Sequence, residues 1–214
     1  MIVKVCGMRE PENIRAVERC GADWMGFILY PRSPRFVDSV PDYMPQSCKR
    51  VGVVVDMQTD DVVMAQQRFG FDIIQLHGHE ITDYCQHLRQ ALPDGVLLMK
   101  MIAVSGADDI VRTAEYEPFV DYFLFETKTP QLGGSGTKFD WNLLNCYQGT
   151  RPFLITGGIG PDDDEELWRF SHERFAGIDI NSRFETAPAM KDVRLINDFI
   201  QRIKTKKRRY NESY

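Results

Sequence analysis

A cysteine near the start of the chain and two polar or glycine-rich segments near its end carry residue types suited to chemistry. Cys6 ends the first apolar run, Gly157-Gly158 follow a later one, and Ile178-Asp179-Ile180-Asn181-Ser182 closes another. Glycine lets several backbone N–H groups approach a phosphate, because no side chain stands in the way. If these segments met on one face, the late ones would hold a phosphate while the cysteine acted on the rest of the molecule. This combination is typical of a small phosphosugar enzyme.

The elements that must bring these residues together are short apolar runs alternating with longer amphipathic stretches. Eight parallel strands alternating with helices predict an α/β fold, a single (β/α)8 TIM barrel with its active site at the carboxyl ends of the strands. An open doubly wound sheet is the alternative, although it normally carries its phosphate-binding glycines in the first turn. The eight runs lie 22 to 31 residues apart, the length of a strand–helix unit, and begin near Ile2, Trp24, Val51, Ile73, Leu97, Tyr122, Phe153 and Gly177.

The stretches between the runs carry helix signals. A helix is expected from Pro11, where proline and acid favour a first turn, and others near the acidic residues Asp60 and Asp162. The last helix is predicted over residues 191–203 from its apolar spacing. Residues 28–51 are the weakest helix prediction, because four prolines interrupt them.

Length and charge limit the domain organisation and the partners. The 214 residues suffice for one well-buried domain, which we expect over residues 1–203, followed by a basic, disordered tail over residues 204–214. The chain has 26 basic and 31 acidic side chains. Residues 201–214 hold six of the basic and one of the acidic residues, so residues 1–200 carry 20 against 30 and a net charge of −10. An acidic body argues against nucleic acid as a partner.

Cysteine usage and the lack of long apolar segments predict the compartment. The five cysteines form no CxxC pair, which suits a reducing compartment and offers neither a disulfide framework nor a zinc site. The chain contains no signal-peptide pattern and no apolar run of about eighteen residues. We therefore expect a cytoplasmic protein without a membrane partner.

The ordered motifs of the chain resemble phosphoribosylanthranilate isomerase, an enzyme of tryptophan biosynthesis. The resemblance extends to about residue 203 and implies a cofactor-free, metal-free Amadori rearrangement of a small phosphorylated substrate. The motifs that carry it are Lys4-Val5-Cys6-Gly7-Met8, Ser33-Pro34-Arg35-Phe36-Val37, Val51-Gly52-Val53-Val54-Val55-Asp56, Gln75-Leu76-His77-Gly78, Gly133-Gly134-Ser135-Gly136 with Phe139-Asp140-Trp141, Gly157-Gly158-Ile159 with Pro161, and Gly177-Ile178-Asp179-Ile180-Asn181-Ser182 with Lys191-Asp192.

The resemblance implies one base and one acid. Cys6 would remove the proton from C2′ of the ring-opened Schiff base, and as a thiolate base it is expected to have a lowered pKa. Glu126 would protonate the furanose ring oxygen, in a position where the family has aspartate. Proton donation near neutral pH calls for a carboxyl with a raised pKa, which burial provides. The alternative for Glu126 is a structural ion pair with Lys128 or Lys100.

The resemblance also assigns substrate-binding residues. Arg35 would pair with the anthranilate carboxylate, since a guanidinium fits a carboxylate bidentately. The alternatives are a surface salt bridge at Arg35 and the nearby Arg32 as the partner of the carboxylate. Asp179 would accept hydrogen bonds from sugar hydroxyls. The groups expected at the phosphate are Gly133, Gly134, Gly157, Gly158, Asn181 and Ser182.

Other residues and readings stay open at this point. Arg183 stands where the family usually has glycine, so it adds charge at the phosphate or blocks a backbone approach. His77 is interpreted as a hydrogen-bonded structural histidine, and Asp140 as a helix N-cap. Two other functions are considered: a different phosphosugar isomerase on the same barrel, disfavoured because Cys6 replaces the aspartate of the histidine-pathway enzyme, and a non-catalytic barrel that binds a phosphosugar.

Overall fold

The computed structural model describes residues 1–127 and 138–211, with side chains up to residue 205. Gly133, Gly134 and Lys128 lie outside the described residues. The eight predicted strands form one closed parallel barrel in which each strand pairs with the next and β1 pairs with β8. The (β/α)8 prediction is therefore confirmed. The strands are β1 (Ile2–Cys6), β2 (Trp24–Ile28), β3 (Lys49–Val54), β4 (Ile73–Leu76), β5 (Leu97–Val104), β6 (Tyr122–Thr127), β7 (Phe153–Ile155) and β8 (Phe175–Ile180).

Six strands begin at the predicted residues, and two begin earlier. β3 starts at Lys49 rather than Val51, and β8 at Phe175 rather than Gly177. Both strands gain two residues at the amino end of the barrel. In β3 these are the polar Lys49 and Arg50, which an apolar run does not reveal.

Helices cover the outside of the barrel, but the alternation is less regular than predicted. The α-helices are α1 (Pro11–Arg19), α2 (Thr59–Phe69), α3 (Thr82–Ala91), α4 (Ala107–Val111), α5 (Asp164–Arg169) and α6 (Val193–Asn211). Three 3-10 helices span Arg112–Glu115, Trp141–Cys146 and Ser182–Phe184. A short hairpin, β9 (Glu185–Ala187) and β10 (Met190–Lys191), follows β8.

Two connections depart from the strand–helix pattern. Residues 29–48 between β2 and β3, all of them described, contain no helix, because prolines interrupt hydrogen bonding and restrict the preceding residues. The described part of the β6–β7 connection holds only the 3-10 helix Trp141–Cys146. Asp140 caps that helix by accepting a hydrogen bond from the Asn142 N–H at 3.0 Å, so the N-cap prediction is confirmed.

The final helix differs from its prediction at both ends. It begins at Val193 because Lys191 belongs to β10, and it continues to Asn211 instead of ending at Ile203. The helix thus enters the segment for which we predicted a disordered tail. Lys204, the first residue of that segment, donates a hydrogen bond to the Gly21 carbonyl at 2.7 Å.

Strand periodicity divides the core into two layers. In β1, Val3 and Val5 pack in the layer between the sheet and the helices, whereas Cys6 belongs to the apolar cluster inside the barrel. Lys4 is fully buried on the same inner side as Cys6. Its ammonium group donates a hydrogen bond to Asp179 of the neighbouring strand β8. Among the described residues, none of the helices is both long and apolar enough to cross a membrane.

Candidate active site

A cavity of about 230 Å³ opens at the carboxyl ends of the barrel strands. This is the face where barrel enzymes carry their active sites. All the predicted site residues that the structure describes line it together: Cys6, Arg35, Glu126, Gly157, Gly158, Asp179, Asn181 and Ser182.

Cys6 is enclosed at the end of β1. Its side chain is 5% exposed, and its strand partner is Gly26 of β2. A Cβ atom on Gly26 would lie 2.6 Å from the Cys6 Sγ, so any larger residue would displace the thiol. The glycine is therefore part of the pocket that holds Cys6, a role that its sequence context did not reveal.

A buried ion pair lies beside the thiol. Lys4 Nζ is 2.6 Å from Asp179 Oδ2, and the two side chains are 0% and 5% exposed. Burial alone would lower the pKa of Lys4, but the Asp179 carboxylate and Cys6 raise it, so Lys4 is held as a cation. The signal in the sequence was a single lysine within the apolar strand Ile2–Cys6.

The protonation of Cys6 differs from the prediction. Burial raises the pKa of the thiol above its ordinary value, and the Asp179 carboxylate adds to this effect. The cations of Lys4, which also hydrogen-bonds the sulfur, and Lys191 act in the opposite direction without cancelling it. The prediction of a lowered pKa was therefore wrong, because desolvation of the thiolate outweighs the two neighbouring cations.

Glu126 lies across the cavity near the end of β6, with its side chain 17% exposed. Its Oε2 is 3.2 Å from His77 Nε2, and Gln75 Nε2 is 2.9 Å from His77 Nδ1. An amide that donates to Nδ1 leaves the proton of a neutral imidazole on Nε2, where it points at Glu126. Lys100 instead pairs with Glu80 at 2.7 Å, so it is not the partner of Glu126.

Arg35 is held on the β2–β3 connection by the hairpin that follows β8. Its Nε and Nη2 donate to the Glu185 carboxylate, the shortest distance being 2.6 Å. Lys191 Nζ also bonds Glu185 and donates to Asn181 Oδ1 at 2.7 Å. Burial alone would raise the pKa of Glu185, but Arg35 and Lys191 lower it, so the carboxylate stays ionised between two cations.

The loop after β7 contains Gly157 and Gly158, the two glycines predicted for a phosphate site. Gly157 and Gly158 have φ angles of +93° and +72°, in the region that favours glycine. A Cβ on Gly157 would lie 2.8 Å from Thr127 Oγ1 of β6, so only glycine fits there. The helix behind this loop starts at Asp164 rather than Asp162 and has six residues. The turn before it is closed by Asp163, which accepts the Gly160 N–H at 2.6 Å.

The comparisons with known proteins agree with this geometry. Residues 3–202 match the model of the family described as N-(5'phosphoribosyl)anthranilate (PRA) isomerase. An N-(5'-phosphoribosyl)anthranilate isomerase of Phocaeicola vulgatus is 47% identical over 206 residues, which cover 96% of this chain and 99% of that protein.

Solved structures give the same result. The phosphoribosyl anthranilate isomerase of Thermus thermophilus superimposes with a TM-score of 0.82 at 25% identity, covering 96% of this chain and 99% of the other. A phosphoribosyl anthranilate isomerase in complex with reduced 1-(o-carboxyphenylamino)-1-deoxyribulose 5-phosphate gives 0.78 at 26% identity, covering 96% and 100%. The chain belongs to the phosphoribosylanthranilate isomerase family and is an isomerase of tryptophan biosynthesis.

Proposed function

We propose that Cys6 and Glu126 are the base and the acid of the isomerase, which converts N-(5'-phosphoribosyl)anthranilate to 1-(2-carboxyphenylamino)-1-deoxyribulose 5-phosphate. The observation that carries the proposal is that both residues line one cavity, Cys6 at the end of β1 and Glu126 near the end of β6. Cys6 is the thiol next to a buried lysine, and Glu126 is the carboxyl held by an imidazole. The rearrangement is driven by proton transfers and involves no net oxidation or reduction of the substrate, so these two groups suffice without a redox cofactor.

In the first step Glu126 protonates the ring oxygen of the ribose. The bond between C1′ and the ring oxygen breaks, and the anthranilate nitrogen supplies the electron pair that forms the C1′=N Schiff base. The hydrogen bond between His77 Nε2 and Oε2 of Glu126 fixes the orientation of the carboxyl group. The longer side chain of glutamate, compared with the family's aspartate, is thereby tied to a defined position.

In the second step the Cys6 thiolate takes the proton from C2′. The C1′=C2′ double bond forms as the electrons move to nitrogen, and the enolamine then becomes the ketone by gaining a proton at C1′ and losing the C2′ hydroxyl proton. Lys4 and Lys191 favour the thiolate. The reactive form, a thiolate with a carboxylic acid at Glu126, has the same number of protons as a thiol with a carboxylate.

The substrate carboxylate is proposed to bind Arg35. Glu185 occupies the edge of the guanidinium formed by Nε and Nη2. The edge formed by Nη1 and Nη2 keeps free N–H donors, since no described residue accepts from Nη1. Glu185 thus fixes the arginine without using all five of its N–H groups, and a second carboxylate fits the remaining edge.

The ribose and its phosphate are proposed to bind at the ends of β7 and β8. Asp179 Oδ1 is buried and has no hydrogen-bond partner among the described residues, which leaves it to accept a sugar hydroxyl. Gly157 and Gly158 bring the backbone to the cavity surface, and Asn181 and Ser182 line the same side. Gly133 and Gly134 remain proposed phosphate contacts outside the described residues.

The substrate is a small phosphorylated molecule, and a cytoplasmic location is proposed with it. All five cysteines, each within the described part of the chain, are free thiols. A base of this kind needs a reducing compartment, because oxidation of Cys6 would remove its ability to accept a proton.

The test is turnover of the substrate, made in situ from anthranilate and phosphoribosyl pyrophosphate and followed by loss of its fluorescence. Glu126→Gln should lower the rate about 10²- to 10⁴-fold, the usual contribution of a general acid. The control is Glu173→Gln, at an exposed glutamate on another loop, which should turn over like the wild type. Wild-type turnover that survives Glu126→Gln would refute the acid assignment. Binding of the reduced product analogue without any wild-type turnover would favour a non-catalytic barrel.

A further inference from the structure

Arg183 is a charged residue of the cavity whose side chain the proposed mechanism does not use. It lies in the 3-10 helix Ser182–Phe184, directly after the end of β8, and lines the cavity. Its neighbour Phe184 is fully buried, with its ring 5.0 Å from that of Phe199 in α6. The backbone that carries Arg183 is therefore anchored to the core while the arginine itself is exposed.

The Arg183 guanidinium reaches over the loop that follows β7. A Cβ atom on Gly160 would lie 3.3 Å from Arg183 Nη2 and 3.4 Å from its Nε, so the absence of a side chain at Gly160 makes room for the guanidinium. The arginine thus joins the loop after β8 to the loop after β7, where Gly157 and Gly158 are located. Arg183 lines the same cavity as Gly157 and Gly158, the two glycines proposed for the phosphate.

Arg183 has no hydrogen-bond or ion-pair partner among the described residues. No carboxylate or carbonyl among the described residues accepts a hydrogen bond from it, whereas Arg35 is bound by Glu185 and Lys138 by Asp163. The Gly160 N–H, which could otherwise serve an anion, is already taken by Asp163. Arg183 therefore offers a dianionic group at the ends of β7 and β8 a cation that no described carboxylate binds.

We propose that Arg183 binds the 5′-phosphate of the substrate directly and is a specificity-determining residue for phosphorylated ligands. The proposal rests on the phosphate position given under the proposed function. A guanidinium matches phosphate geometry with two parallel N–H donors, and a charge-assisted contact of this kind is stronger than a neutral hydrogen bond. Arg183 thereby adds a side-chain donor at a position where the family usually has glycine.

The experiment measures the dissociation constant of the reduced product analogue, with and without its 5′-phosphate, by titration calorimetry. Arg183→Gln should weaken binding of the phosphorylated analogue about ten- to a hundredfold and leave the dephosphorylated analogue unchanged. Arg183→Lys should recover part of the loss, since lysine keeps the charge but not the fork. The matched control is Arg112→Gln, which removes the same charge from the 3-10 helix between β5 and β6, at a residue that does not line the cavity.

The outcomes separate this inference from the proposed function. If Arg183→Gln binds both analogues as the wild type does and still turns over substrate, the arginine contact is refuted while the isomerase site stands. An equal loss for both analogues would also refute it, because a displaced loop weakens binding regardless of the phosphate. If the phosphorylated analogue binds the wild type no better than the dephosphorylated one, the phosphate position itself is wrong.

Discussion

The two reacting groups occupy different kinds of environment within one cavity. Cys6 is almost fully buried within the barrel wall, against Gly26 and beside the Lys4–Asp179 pair. Glu126 stands at the barrel mouth, partly open to solvent, with the His77 ring as its partner among the described residues. The base therefore lies in the core of the barrel, and the acid lies at the rim, the carboxyl ends of the strands that surround the cavity.

This difference has a physical consequence for what each region tolerates. The surroundings of Cys6 are set by strand register, since Lys4 is the register partner of Asp179 and Cys6 that of Gly26. A change of side-chain size or charge there alters packing and chemistry together. The acid depends on side-chain hydrogen bonds at the strand ends, so a change there should alter activity with little effect on folding.

The largest effect should follow from removing the base. Cys6→Ser is expected to lower kcat about 10²- to 10⁴-fold, because a hydroxyl is a far poorer base near neutral pH. The free energy of unfolding should change little, since serine is slightly smaller than cysteine. Stopped-flow turnover and chemical denaturation measure the two quantities. Normal turnover in Cys6→Ser, with Cys146→Ser at an exposed site as control, would eliminate Cys6 as the base.

The next largest effect should be on stability. Lys4→Met leaves the Asp179 carboxylate buried without its cation, which typically costs about 3–5 kcal/mol of unfolding free energy. The same change should raise the pKa of Cys6 further, because it removes the nearest positive charge. The comparison variant is Lys138→Met, at a more exposed pair, with an expected cost of about 1 kcal/mol or less. Equal losses in the two variants would contradict the contrast between core and rim.

The smallest effect should come from the partner of the acid. His77→Asn removes one hydrogen bond to Glu126. We expect the activation free energy to rise by about 1.4 kcal/mol, which corresponds to a tenfold fall in kcat. Unfolding free energy should stay within about 0.5 kcal/mol of the wild type, as for other changes away from the core. His79→Asn, at an exposed histidine two residues further on, provides the control for activity. A loss as large as that of Glu126→Gln would mean that His77 itself transfers the proton.

The strands were readily predicted because each buried parallel strand is a continuous apolar run. The helices were harder, since the β2–β3 connection has none and α6 runs past Ile203. Cys6, Glu126 and Arg35 were proposed from motifs that follow strands, and all three line the cavity. Gly26 was missed because its importance depends on which residue lies opposite in the neighbouring strand.

The ion pairs of the site and the direction of the Cys6 pKa shift could not be predicted from motifs either. The Lys4–Asp179 pair joins residues 175 positions apart, and Glu185 reaches Arg35 over 150 positions. Whether a thiol has a raised or lowered pKa depends on the balance between burial and such distant charges. For Cys6 that balance favours the neutral thiol.

The most direct test of the contrast between base and acid is the pH dependence of Cys6 alkylation by iodoacetamide, followed by mass spectrometry with the exposed Cys146 as internal reference. Alkylation requires the thiolate. We expect a midpoint for Cys6 above about 8.5, the ordinary cysteine value, a still higher midpoint in Lys4→Met, and no shift in His77→Asn. A wild-type midpoint below that value, or one that Lys4→Met leaves unchanged, would contradict this expectation.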